Sequence, residues 1–154
     1  MTHLIDTNIL LRSCEPDHPM FKLAKDTVKT LLNRGNNLYV TPQNLIEFWN
    51  VCTRPKDKNG LGYSIQKTQS EVEQIKMMFP LLTDSALIYL EWEKLVKNYE
   101  VKGVNVHDAR LVAAMRVHNL THIITFNGKD FRRYQEITII DPKNFPTSNS
   151  QCYT

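Results

Sequence analysis

Asp6, Glu47, Asp108 and the pair Asn127/Asp130 are the positions in this sequence that could do chemistry together. Each also has an ordinary structural explanation. Asp6 closes a short apolar run, where a carboxylate costs free energy unless a cation or hydrogen-bond donors meet it. The stretch Asp6-Thr7-Asn8 is equally good turn chemistry. Asp108 stands where a helix should begin, and a negative charge there suits the helix dipole. Glu47 falls off the apolar stripe Leu45, Phe48, Trp49 and Cys52 of its helix, near Asn44 and Val51, as a solvated glutamate would. Asp130 follows Gly128-Lys129 and suits a turn. If these carboxyls share one cleft, they repel one another and their pKa values rise unless a cation neutralises them. Oxygen-only ligand sets favour Mg2+ or Mn2+ over zinc. Such an ion turns water into a nucleophile and stabilises the departing oxyanion of a phosphodiester. No histidine or serine nucleophile is required, so no covalent intermediate is expected.

Those residues need a scaffold that gathers them. Apolar runs too short for helices predict strands over residues 3–5, 38–40, 122–125 and 137–140, with a further one over 79–82. Helical spacing predicts a helix entered at Asp17-His18-Pro19 and stopped by Arg34-Gly35-Asn36-Asn37. Thr41-Pro42 predicts a capped helix over 42–53. Further helices are expected over 65–78, over 84–98 with Asp84 as cap and Leu87, Leu90, Leu95 and Val96 inward, and over 107–118. The polar segment 56–62 reads as an exposed loop. Strands alternating with helices predict an α/β protein, a three-layer α/β/α sandwich with a mainly parallel central sheet. In such sheets ligands bind beyond the carboxyl ends of the strands. Asp6 and Thr41 follow strands directly, Thr125 ends one and Asn127 stands just beyond it.

Composition narrows the class. The 154 residues predict a single domain over 1–145, with 146–154 a flexible tail. With 42% hydrophobic and 23% charged residues, the chain is neither disordered nor collagen-like. No apolar run approaches the ~20 residues of a membrane span. The N-terminus lacks the basic segment of a signal peptide, so a cytoplasmic protein is expected. Three widely spaced cysteines, with no C-x-x-C pair, argue against a zinc ribbon or disulfide framework. A net charge of +3 removes a global repulsion against nucleic acid without requiring one.

Four segments are recognisable together: Leu4-Ile5-Asp6-Thr7-Asn8-Ile9-Leu10, Asn44-Leu45-Ile46-Glu47-Phe48, Val106-His107-Asp108-Ala109-Arg110-Leu111-Val112-Ala113 and Ile124-Thr125-Phe126-Asn127-Gly128-Lys129-Asp130-Phe131. In this order they closely resemble the motifs of PIN-domain ribonucleases, most strongly the VapC-type toxins of bacterial toxin–antitoxin pairs. The resemblance implies an endoribonuclease dependent on Mg2+ or Mn2+. It assigns Asp6, Glu47 and Asp108 to the acidic, metal-binding centre, has Thr7 and Asn8 brace Asp6, and places Thr125 in the pocket wall. Many family members carry an acidic residue where this chain has Asn127. Asp130 either supplies that carboxylate or braces the loop, and both are carried as candidate ligands.

Basic residues near these motifs could hold RNA phosphates: Arg110, Lys129, Arg132 and Arg133, with Arg54 on the same rim. A solvated basic face is the alternative, preferred for Arg116 and Lys102. Tyr63, Phe126 and Tyr134 are either stacking platforms or core and rim aromatics. By resemblance the substrate is tRNA or a single-stranded RNA segment. A cognate antitoxin protein is expected at the cleft rim, together with a homodimer whose candidate surface is residues 60–78. The competing readings are a catalytically weak PIN-like module that binds RNA or protein, a receiver-type signalling domain, and a nucleotide-binding fold. The receiver would want paired acids beside Asp6. The nucleotide fold would want a glycine-rich phosphate loop that this chain, with five glycines, lacks.

Overall fold

The computed structural model describes residues 1–147; most of the expected flexible tail, 148–154, lies outside the described residues. The described chain runs β1 (Thr2–Ile5), α1 (Thr7–Ser13), α2 (Phe21–Asn33), β2 (Asn37–Tyr39), α3 (Pro42–Thr53), α4 (Ile65–Met78), α5 (Ala86–Asn98), α6 (Asn105–Val117), β3 (His122–Ile124) and β4 (Thr138–Ile140). The strands form one sheet in the order β2-β1-β3-β4, and every neighbouring pair is parallel.

Strand pleating divides the core in two. Side chains alternate between faces along a strand, so Leu4, Ile123 and Ile139 belong to the cluster shared with α5 and α6. Ile5, Ile124 and Ile140 belong to the cluster shared with α1, α2, α3 and α4. The sheet is thus covered on both faces, the arrangement that all-parallel strands require. Tyr134 and Phe131 complete the α5–α6 side as buried core residues. Tyr99 meets the Tyr134 ring edge-on at 5.1 Å between centroids.

Local signals placed most elements. Thr41 caps α3 through a reciprocal pair with Asn44, and Pro42 occupies the first turn. Ser64 caps α4. Gly35, at φ +81°, ends the turn after α2 in a conformation that side chains disfavour.

Several expectations require correction. Asp6-Thr7-Asn8 does not simply extend the strand into a loop, because α1 starts at Thr7. A seven-residue helix is too short to form alone; burial of Ile9, Leu10 and Leu11 holds this one. Residues 79–82 form no strand, only a single parallel bridge between Val40 and Leu81. Entry to α2 comes later than Asp17, with the His18 ring accepting from the Met20 N–H at 3.0 Å. Asp84 does not cap α5; Ser85 holds the cap position, and Asp84 pairs instead with Arg110 at 3.3 Å. Leu87 and Leu90 face outward, 60% and 54% exposed, while Ile88 and Leu95 fill the core. Among the described residues, no helix is long and apolar enough to cross a membrane.

Candidate active site

The carboxyl ends of β1 and β3 lie side by side, joined by the Asp6 N–H donating to Ile124 O at 3.0 Å. Asp6 is the last residue before α1, and its Oδ1 accepts the Thr7 N–H at 2.8 Å. Its Oδ2 accepts the Thr125 hydroxyl at 2.7 Å and, more distantly, the Asn8 amide at 3.4 Å. Asp6 therefore caps a helix and also faces the end of a second strand. Thr125 is fully buried. Its hydroxyl oxygen also accepts from the Asn8 amide at 3.2 Å and the Asn127 N–H at 3.0 Å.

Glu47 comes from α3. Away from the apolar stripe it meets polar partners, not bulk water alone: the Thr7 hydroxyl donates to Oε2 at 2.8 Å, and the Gln43 amide to Oε1 at 2.9 Å. Thr7 thus serves two carboxyls, Asp6 through its N–H and Glu47 through its hydroxyl. Asn44, fully buried, donates to the Thr7 hydroxyl oxygen at 3.3 Å.

Asp108 lies in the first turn of α6 and is half-buried. Burial pushes its pKa up to about 7, and the charges of Asp6, Asp130 and Glu47 push the same way, while Arg133 opposes them. Burial likewise raises Asp6 to about 6. Thr125 and Thr7 pull that value down, and Glu47 and Asp130 push it up. The four carboxyls therefore share one electrostatic environment, although they are far apart in sequence. Asp130 sits in a single 3-10 turn, Gly128–Asp130, and Asn127 precedes that turn as an exposed residue.

The donor set is oxygen-rich and carries several negative charges, which fits a hard divalent cation. Among the described residues, no three carboxylate, imidazole or thiolate side chains are gathered closely enough to enclose an ion alone. Mg2+ is commonly held by one or two carboxylates with water completing its shell, so this open arrangement suits it.

Gln43 was not singled out from sequence. Its amide nitrogen reaches Glu47 and also His107 O at 2.8 Å, and its Oε1 accepts from Arg110 at 3.1 Å. Gln43 therefore ties α3 to α6 across the site. The available signal was its position one helical turn before Glu47, where the two side chains share a face. Arg110 is thereby joined to the acidic centre and balanced by Asp84. Arg133 acts on Asp108, whereas Lys129 and Arg132 line a neighbouring cavity. Arg54 is engaged by the loop after α3, donating to Asn59 O at 3.0 Å. Arg116 pairs with Glu91 and Glu136.

Known proteins share this fold. A family profile described as the PIN domain matches residues 3–137. A "Ribonuclease VapC" from Rickettsia bellii (strain RML369-C) is 27% identical over 142 residues, covering 89% of this chain and 93% of that protein. VapBC2 from Rickettsia felis, solved bound to a DNA fragment from the promoter, superposes with a TM-score of 0.68 at 17% identity, over 92% of this chain and 98% of that one. A toxin–antitoxin complex from Klebsiella pneumoniae gives 0.62 at 21% identity, over 91% and 97%. The structural likenesses speak for the fold, and the profile, spanning all four acidic segments, speaks for descent: the chain belongs to the PIN domain family.

Proposed function

We propose that this chain is a divalent-metal-dependent endoribonuclease and the toxin of a toxin–antitoxin pair, acting in the cytoplasm. The observation that carries the reading is the buried Asp6 carboxylate. Each of its oxygens is held by a donor from a different segment, and its pKa is raised in company with Asp108. Burying a carboxylate among other carboxyls is costly for stability alone. A cation would repay that cost.

Asp6, Glu47 and Asp108 would hold Mg2+ or Mn2+, directly or through its water shell, with Asp130 as a fourth carboxyl and Asn127 as an uncharged oxygen donor. When bound, the ion supplies charge neutralisation and activation of water for attack on the phosphodiester. The protein's contribution is orientation. Thr125 and the Thr7 N–H fix the Asp6 carboxylate, while Thr7 and Gln43 fix Glu47. Held in this way, the carboxylates need little rearrangement during reaction. Arg110, Lys129, Arg132 and Arg133 supply positive charge for the RNA backbone, whether the substrate is tRNA or a single-stranded segment.

The Rickettsia bellii relative is named a ribonuclease, which supports the activity, and the toxin–antitoxin complex from Klebsiella supports an antitoxin partner. Exposed apolar side chains support protein partners as well: Ile65, Met77 and Met78 on α4, and Leu87, Tyr89 and Leu90 on α5. A cognate antitoxin and a second copy of the chain are the two partners this reading assigns to such surfaces.

The test is incubation of the purified protein with a mixed RNA pool in Mn2+, Mg2+ or chelator, beside Asp6→Asn. Cleavage with either ion, lost in chelator and in the variant, is the expected result. Cleavage that persists in chelator rejects the metal mechanism. No cleavage under any condition favours the binding-module reading.

A further inference from the structure

We propose that the cavity beside the Gly128–Asp130 turn is a nucleotide subsite, taking the base and phosphate of an RNA residue next to the scissile bond. The inference rests on the nuclease reading and adds to it a place for the flanking nucleotide. The cavity measures about 550 Å3 and is lined in part by Phe126, Lys129, Arg132, Asp141, Asn144 and Phe145. That volume lies within the range of small-molecule sites, roughly 300–1,000 Å3.

Its position follows from the backbone. Phe126 and Asn127 come directly after Thr125, whose hydroxyl rests on Asp6, and the Phe126 N–H donates to Asn8 Oδ1 at 3.2 Å. The cavity and the acidic centre are therefore two sides of one loop. The turn's basic residues divide between them: Arg133 acts on Asp108, while Lys129 and Arg132 line the cavity. A strand whose scissile phosphate lies at the carboxylates would carry its neighbouring nucleotide across this loop.

The lining suits a nucleotide. Phe126 and Phe145 offer aromatic surface, and base–aromatic stacking is indifferent to base identity. The Arg34 guanidinium, outside the cavity lining, stands 5.3 Å from the Phe145 ring centroid and holds the ring. Asp141 caps the turn Pro142–Asn144, its Oδ1 accepting the Lys143 N–H at 2.9 Å. A carboxylate there repels phosphate, so the phosphate belongs at the Lys129–Arg132 end and the base at the Asp141–Asn144 end. Gly128 keeps the turn close to the cavity wall, since a Cβ there would come 2.9 Å from Ile139 Cγ2.

The test uses the full chain in chelator, so binding is read without cleavage. Backbone amide NMR shifts are followed on titration with AMP, GMP, CMP and UMP, and separately with ribose 5-phosphate and inorganic phosphate. The expected result is shifts confined to residues 126–132 and 139–145. At least one mononucleotide should bind about tenfold more tightly than ribose 5-phosphate, the increment expected of a stacked base. Arg132→Ala, at an exposed position, should weaken that binding severalfold with an unchanged circular dichroism spectrum. Lys102→Ala, which removes the same charge elsewhere on the surface, should not. Shifts elsewhere only, or ribose 5-phosphate binding as well as every mononucleotide, overturns the proposal. RNA cleavage measured in parallel separates the two readings. Mononucleotide binding here without metal-dependent cleavage rejects the nuclease and keeps the pocket; cleavage without such binding rejects the pocket and keeps the nuclease.

Discussion

The Thr125 hydroxyl donates to Asp6 Oδ2 at 2.7 Å, across 119 residues of sequence and inside the buried edge of the sheet. The bond joins the ends of β1 and β3 and stabilises the ionised form of Asp6 against burial. Thr125→Val keeps the shape and removes the donor. The expected cost is about 1–3 kcal/mol, the penalty of an unpaired buried group. The loss concerns the charged carboxylate, so it should be larger at pH 8 than at pH 5. Denaturant unfolding at the two pH values checks this, and Thr125→Ser should recover most of the difference.

Asp6 and Asp108 have folded pKa values raised to about 6 and about 7. In the unfolded chain both titrate near pH 4. The folded state therefore binds more protons than the unfolded state in between. The stability these groups contribute is complete below about pH 4 and is lost as pH rises to about 7. Calorimetry on metal-free protein should show Tm falling across that window. Asp108→Asn should flatten the fall and raise Tm at pH 8 by several degrees, at about 2–4 °C per kcal/mol for a domain of this size.

Mn2+ or Mg2+ should reverse that loss. Bound cation should raise Tm at pH 8 and much less at pH 5, where protons compete for the same oxygens. Asp6→Asn should remove most of the effect. Equal stabilisation of wild type and Asp6→Asn would place the ion elsewhere.

Gln43 holds Glu47, the His107 carbonyl and Arg110 together. Gln43→Ala should therefore lower the RNA cleavage rate by about 10–100-fold, as loss of a ligand-orienting partner does. Its stability cost should be smaller, about 1 kcal/mol. A rate constant within twofold of wild type would show that the bridge is structural only.

Gly128→Ala should be destabilising by about 1–3 kcal/mol through overpacking, because its Cβ would meet Ile139 Cγ2 at 2.9 Å. Ile139→Ala removes that methyl. The double variant should cost less than the sum of the two single ones, a coupling measurable by a double-mutant cycle.

Much of the fold was legible because its signals are local. The Thr41-Pro42 cap placed α3, and the apolar runs placed the strands at Leu4-Ile5 and Ile123-Ile124. Leu87 and Leu90 were misread as inward because helical spacing defines a stripe without saying which neighbour covers it. The short helix α1 was invisible for a related reason. Its residues Asp6, Thr7 and Asn8 favour turns locally, and only burial of Ile9, Leu10 and Leu11 in the core shared with α2 and α3 makes the helix stable.

The acidic residues, their order and the strand–helix alternation are properties of the chain itself, and they suffice to predict a parallel sheet with carboxyls near its edge. Pairing of the strands decided the rest. It set Ile124 beside Asp6 and brought the Thr125 hydroxyl onto that carboxylate, and the packing of α3 against α1 met Glu47 with the Thr7 hydroxyl. Helical periodicity ranks faces by hydrophobicity, so a polar residue facing a buried polar site looks the same as one facing water. Only the tertiary contacts distinguish them.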